Sequence, residues 1–343
     1  MTEPIVCVPA RNEAARLPDL IRALQYQTWI RAQKRPLRVV VVLNNCTDES
    51  RTVIEQVVGN VPQIYLHLVD VNFLPEQAHV GSARRWAMNT GASLVPDNSL
   101  LLSTDADAVP REDWVDANLR AIASGAHLVG GHIVGNREEE ALLGPGFLRR
   151  ATRHLYYTKL IDRLISLVDP SPEDPWPRHT DHTGASLAVR SDVYAAVGGM
   201  PALPFREDVA FVQNVCLAGY RLRHPLDVEV SVSARLDGRA PGGMSDCLKS
   251  WVADEVNGEP HLVEDPRAIV SRLRQLRDKP AGAILRHEAN ECNERLLIRN
   301  PLRTRKKTDV ETAIGQLEQM IANNEGSLNV TRSSTMDLLQ SHY

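Results

Sequence analysis

"LLLSTDADAVP", residues 100–110, is the stretch on which the fold turns. An apolar run stops at two aspartates one residue apart, Asp105 and Asp107. At the end of a buried strand such a pair can hold a metal. On a surface it is an acidic turn or a helix cap before Pro110, and chance alone supplies such pairs. The neighbouring sequence separates the two.

Upstream, "PIVCVP" (4–9) is a short apolar run, followed by Leu17, Leu20, Ile21 and Leu24 at helical spacing, with Pro18 tolerated near the helix start. "LRVVVVLNN" (37–45) is a β-branched run without polar alternation, the pattern of a strand buried on both faces. The turn "NNCTDES" (44–50), the amphipathic "RTVIEQVV" (51–58) and a third strand, "IYLHLV" (64–69), follow. Val80, Ala83 and Ala87 then mark a helix and "SLLLST" (99–104) a fourth strand. Downstream, "REDWVDANLRAIAS" (111–124) is a helix with acids in its first turn, where the helix dipole favours them. "AHLVGGHIV" (126–134) is expected as a fifth strand. This alternation predicts an α/β fold: a mostly parallel sheet with helices on both faces. Ligands bind such sheets beyond the carboxyl ends of the strands, which is where Asp105 and Asp107 fall.

Residues 141–168 are helical and amphipathic in pattern. "DPSPEDPWPRHTDH" (169–182), with four prolines, reads as a long loop of the kind that forms lids or binding loops. "TGASLAVR" (183–190) and "VEVSVSARL" (228–236) return to strand pattern. Beyond about residue 241 the chain turns helical and charged, with Ile269, Leu273 and Leu276 on one face and Ile314, Leu317 and Ile321 on another. The polar tail after Gly326 is expected to lack order.

The 343 residues suffice for one large domain or two smaller ones. A net charge of -4 argues against nucleic acid as a partner. Five scattered cysteines without a Cys-x-x-Cys pair argue against a disulfide framework or a zinc knuckle, and fit reduced thiols in the cytoplasm. "MTEPIVCVPARNE" lacks signal-peptide character, and no apolar run reaches the roughly 20 residues of a membrane span. The expected location is cytoplasmic, with peripheral attachment to a membrane left open. The basic run "RNPLRTRKK" (299–307) reads as a solvated face, with anionic lipid or a phosphorylated acceptor as the alternative.

Six segments now stand in order: "VPARNEA" (8–14), "NNCTDES" (44–50), "GSARRWAMNTG" (81–91), "STDADAVP" (103–110), "HTGASLAVRSDVYAAVGGMP" (182–201) and "FREDVAF" (205–211). Together they resemble the inverting family 2 glycosyltransferases of the GT-A fold, over about residues 4–240. "DPWPRH" (174–179) and "ARLDGRAPGGM" (234–244) suggest a bacterial subgroup. The resemblance implies a GT-A (Rossmann-like) nucleotide-sugar transferase domain over 1–240, with 241–343 an accessory helical segment.

It also implies roles. Asp107 would be the main ligand of Mg²⁺ or Mn²⁺, with Asp105 touching the ribose or the metal shell; a hard ion bridges carboxylates and pyrophosphate through oxygen. Pro9, Ala10, Arg11 and Glu13 would contact the nucleotide. Asn44 stands where the family commonly has an Asp against uracil, which leaves the base undetermined. Arg84, favoured over its helical neighbour Arg85, would face the donor phosphates or sugar. Asp208 would be the general base, with Glu207 supporting it or near the acceptor; both acids also suit a helix cap. Gly184, His182 and His179 would line the acceptor side, the histidines also being possible phosphate or metal contacts. The implied partners are a nucleoside diphosphate sugar and a hydroxyl acceptor, whether small molecule, glycan or lipid-linked. A sugar nucleotidyltransferase is the rival enzyme class, though "PARNEA" is not its glycine-rich, lysine-containing loop. A non-catalytic nucleotide-sugar binding protein on the same fold is the other rival.

Overall fold

The computed structural model describes residues 2–238, 243–277 and 306–340, without side chains for 276–277 and 327–340. The chain divides into two compact units, Met1–Leu142 with His179–Ser250, and Leu143–Arg178 with Trp251–Tyr343.

The strands of the first unit are β1 (Pro4–Ala10), β2 (Leu37–Asn44), β3 (Ile64–Val71), β4 (Leu100–Thr104), β5 (Ala108–Pro110), β6 (Leu128–Gly130), β7 (His132–Gly135), β8 (Ser186–Arg190), β9 (Leu222–Arg223) and β10 (Glu229–Val232). Seven of them form one sheet in the order β3-β2-β1-β4-β8-β6-β9. β1, β2, β3 and β4 run parallel; β1, β2 and β4 are buried on both faces, while β3 is half exposed. Its helices include α1 (Leu17–Gln25), α2 (Thr28–Gln33), α3 (Ser50–Gly59), α4 (Val80–Ser93), α5 (Trp114–Ala123) and α6 (Arg137–Leu142). On α1 the four apolar positions read from the sequence are all buried.

β8 is antiparallel to β4, with Thr104 opposite Ser186. The start of β8 therefore lies beside the end of β4, and Thr183 and Gly184 share an edge with Asp105. A second, three-stranded sheet, β5-β10-β7, begins just after Asp107. Ala108 pairs with Val232 there, which brings the segment after β10 back to Asp107.

The expected fifth strand, 126–134, is two strands in two sheets. Gly131 N–H still bonds Ser186 on the β8 side, but His132 N–H bonds Val228 at the start of the β10 side. The chain changes partner between two residues. Its apolar pattern does not change, so the break leaves no trace in periodicity.

The second unit holds α7 (Pro145–Val168) and, later in the chain, α11 (Pro266–Arg277) and the C-terminal helix Val310–Gln340. α8 (Ser191–Ala196), α9 (Glu207–Leu217) and α10 (Met244–Val256) complete the described helices between them. Tyr157, Ile161 and Leu164 of α7 pack with Ile269, Leu273, Ile314 and Leu317 in one core. A single boundary at residue 240 therefore does not describe the chain. The 143–178 segment departs from the first unit because its apolar face is covered by helices more than a hundred residues downstream. The tail after Gly326 is a correction too: it continues as helix to Gln340. Leu276, Cys292 and positions 299–305 of the basic run fall outside the described side chains. No helix among the described residues is long and apolar enough to cross a membrane.

Candidate active site

Arg84 is the centre of the site. It lies in α4, whose N-terminus is capped by the His79 ring accepting the Ser82 N–H. The Arg84 Nε donates to Glu207 Oε1 at 3.0 Å, and Nη2 donates to Asp105 Oδ1 at 2.8 Å. Nη1 donates to Ser103 Oγ and to the Gly184 carbonyl, each at 2.8 Å. The residue is only 3% exposed, whereas Arg85 is exposed, as the helical geometry requires of neighbours. Burial works against the Arg84 charge, but Asp105 and Glu207 more than offset it and hold the guanidinium protonated. Burial raises the Glu207 carboxyl, Asp208 beside it raises it further, and Arg84 pulls the other way.

Gly184 joins this centre to Asp208. Its carbonyl accepts from Arg84, and its N–H donates to Asp208 Oδ2 at 2.7 Å. The other Asp208 oxygen accepts the N–H of the next residue, Val209, at 2.7 Å within the first turn of α9. Arg206, just before α9, holds a left-handed φ of 59° that turns the chain into the helix. A Cβ on residue 184 would stand 2.4 Å from Arg84 Cζ, so this close approach admits only glycine.

Asp107 belongs to a second group. Arg235, in the segment after β10, is 3.0 Å from Asp107 Oδ2 and grips both oxygens of Glu13. Glu13 N–H in turn donates to Ser50 Oγ at 2.9 Å, and Ser50 Oγ donates to Asp48. Asn12 Oδ1 accepts the Thr47 N–H at 2.8 Å, so the first two loops are stitched together. Burial, and the nearby Asp105 and Glu13, push the Asp107 carboxyl up to about 6 against the pull of Arg235. Asp107 opens into a polar cleft of about 180 Å³ that also takes in Asn136, Glu139 and Ser233. Asp107 and Glu13 share the Arg235 guanidinium while Asp105 adds repulsion at Asp107, and a hard divalent ion would relieve that repulsion through oxygen ligands, so the donor set fits Mg²⁺ or Mn²⁺.

Pro9 and Ala10 end β1, both buried, and Arg11 Nη1 donates to the Ala78 carbonyl at 2.6 Å. Asn44 is 2% exposed; its Nδ2 donates to the His79 carbonyl at 3.2 Å, while Oδ1 takes no hydrogen bond among the described residues. The first and second loops, the Asp105 edge and the start of α9 are thus brought together. His179 and His182 instead gather with His132 and His224. Ser103 and Arg235 are site residues that the sequence reading had not assigned. Arg235 lies in the quoted "ARLDGRAPGGM", but only the pairing of β5 with β10 shows where it goes.

Residues 5–170 match the model of the family described as glycosyl transferase family 2. Residues 5–170 thus carry a glycosyl transferase family 2 domain. A solved structure of the mannosyltransferase PcManGT from Pyrobaculum calidifontis, in complex with GDP-Man and Mn²⁺, aligns at 15% identity with a TM-score of 0.51, over 98% of this chain and 80% of that one. The S. aureus TarS 1–349 structure in complex with UDP aligns at 12% identity with a TM-score of 0.47, over 94% and 89% of the two chains. No curated protein matches the sequence. This glycosyltransferase thus has the GT-A fold, with one buried arginine binding the aspartate after β4 and the glutamate opening α9.

Proposed function

We propose that the enzyme transfers one sugar, with inversion, from a nucleoside diphosphate donor to an acceptor hydroxyl. The observation that carries this reading is the Arg84–Gly184 junction, which links Asp105 on one side to Glu207 and Asp208 on the other. Asp107, assisted by Asp105, would hold Mg²⁺ or Mn²⁺. Bound there, the ion supplies Lewis-acid stabilisation of the departing diphosphate. Pro9, Ala10, Arg11, Glu13 and Asn44 line the nucleotide side.

Asp208 takes the proton of the acceptor hydroxyl as that oxygen attacks the anomeric carbon. The carbon–oxygen bond to the nucleoside diphosphate breaks on the opposite face, which is the geometry of inversion. The Gly184 N–H fixes one oxygen of Asp208 during this step, and Arg84 holds Glu207 beside it.

The test is a thermal-shift panel of UDP, GDP, dTDP and CDP, each with Mn²⁺ or with chelator. One nucleotide should stabilise the protein only when the ion is present, because a ligand that binds the native state alone stabilises it by mass action. A flat response to all four with Mn²⁺ present would remove the donor reading.

A further inference from the structure

A second polar cluster in the first unit gathers residues outside the proposed base and nucleotide contacts, among them His179 and His182, expected on the acceptor side. His132 opens β7, His179, Asp181 and His182 lie on the approach to β8, and His224 follows β9. Their rings form a continuous series: His132 to His179 at 5.0 Å between centroids, His179 to His224 at 5.5 Å, and His224 to His182 at 5.6 Å. Asp181 Oδ2 lies 3.0 Å from His132 Nδ1 and 3.8 Å from His179 Nδ1. The cluster is tight, since a Cβ on Gly130 would meet the Asp181 carbonyl at 2.4 Å and the His224 ring at 3.0 Å.

A histidine hydrogen-bonded to an aspartate needs no metal to exist. What distinguishes this cluster is the convergence of three ligand-type side chains, with one atom from each of His132, His179 and Asp181 all within 4.8 Å of one another. Tetrahedral zinc with bonds of 2.0–2.1 Å places its ligand atoms about 3.3 Å apart. The 3.0 Å and 3.8 Å separations bracket that spacing. Two imidazoles and one carboxylate select a borderline ion, whereas the all-oxygen set at Asp105 and Asp107 suits a hard one. The outer shell is present as well: Ile133 N–H donates to Asp181 Oδ2 at 3.2 Å, and the His224 ring backs His179. His179 Nδ1 accepts the Asp181 N–H at 3.0 Å, a bond that coordination at that nitrogen would replace.

We propose that His132, His179 and Asp181 bind one Zn²⁺-type ion, with water completing four ligands. The ion anchors the segment that runs from His179 to Gly184, and so fixes the residue that touches both Arg84 and Asp208. The site is tested apart from the donor reading, because none of its ligands is among the residues proposed to hold the nucleotide or its ion.

The test uses full-length protein stripped with chelator and titrated with Co²⁺, which reports nitrogen-ligated tetrahedral sites by visible absorption. It is run in Asp107→Asn, so that the donor-side carboxylate does not contribute. The expected result is one Co²⁺ per chain, displaced by Zn²⁺. Adding His132→Gln and Asp181→Asn should weaken binding about tenfold or more, with circular dichroism confirming the fold. Absence of the cobalt spectrum in folded Asp107→Asn protein overturns the site, as does an unchanged affinity after the two ligand substitutions. Zn²⁺ should also slow hydrogen exchange at residues 179–184 of the wild type; binding without that protection overturns the anchoring role. Failure of every nucleotide to bind would leave the cobalt result standing, so the two readings fail separately.

Discussion

Arg84 and Glu207, 123 positions apart in sequence, are joined by a buried hydrogen bond of 3.0 Å. The same guanidinium holds Asp105 at 2.8 Å, so two acidic motifs on different elements converge on one cation. Glu207, unlike the partly exposed Asp105, is buried and could not be so alone, because the desolvation cost of an unpaired carboxylate is several kcal/mol. The pairing decides where the start of α9 sits relative to the end of β4.

Removing the cation should therefore unfold more than it disarms. Arg84→Ala leaves Glu207 buried without a countercharge and is expected to cost about 3–5 kcal/mol of stability. Arg84→Ala with Glu207→Gln should recover a large part of that loss, since the stranded charge is gone. Urea denaturation of the single and double variants measures both. Equal destabilisation in the two would show that the ion pair does not hold this junction.

Gly184 makes a sharper test of position than of stability. The Arg84 guanidinium that a Cβ would strike at 2.4 Å is held by four hydrogen bonds and has no free rotamer into which to retreat. In Gly184→Ala the Gly184–Asp208 contact shifts. A displacement of about 1 Å at a reacting centre costs up to roughly a hundredfold in rate. Donor turnover should fall by at least about tenfold while the nucleotide-induced thermal shift persists. Wild-type turnover would mean that the segment yields freely.

Much of this arrangement can be read in the sequence, and the rest cannot, for physical reasons. The β-branched run of β2 and the helical spacing of Leu17, Leu20, Ile21 and Leu24 are local signals, and they define their elements. The Asp105 edge follows from the apolar run that precedes it. The division of 126–134 into β6 and β7 depends on a change of hydrogen-bond partner at Gly131 and His132, and both halves are equally apolar. The Arg235 bridge from Glu13 to Asp107 spans 222 positions on its longer arm, and no spacing rule reaches that far. Three of the residues with left-handed φ, Asn12, Asn45 and Arg206, lie where loops turn towards the site, and side-chain type only hints at them.

Arg235 sets up a competition. Its guanidinium already rests at 3.0 Å on Asp107, the residue proposed to hold the divalent ion. An ion arriving without nucleotide must displace it. Arg235→Ala should therefore tighten Mn²⁺ binding in the absence of nucleotide by up to about fivefold, the scale of a partly exposed ion pair. Counting free Mn²⁺ by electron paramagnetic resonance measures this. Weaker Mn²⁺ binding in the variant would show that Arg235 shapes the site for the ion and does not compete with it.

Asp208→Asn is the most direct test of the chemistry, because it changes the proton acceptor and little else. Asparagine keeps one oxygen to accept the Gly184 N–H, so the 2.7 Å contact that orients the residue survives. The lost bond is the one the Val209 N–H donates to the Asp208 carboxylate, which limits the stability cost to about 1 kcal/mol. General-base catalysis typically contributes about a hundredfold to ten-thousandfold, and nucleoside diphosphate release from the donor should fall by that factor. Binding of nucleotide with Mn²⁺ should be unaffected, since Asp105, Asp107 and Glu13 are untouched. A variant that binds nucleotide normally and still turns donor over at the wild-type rate would transfer the role of base to another residue, with Glu207, in contact with Arg84, the first to examine.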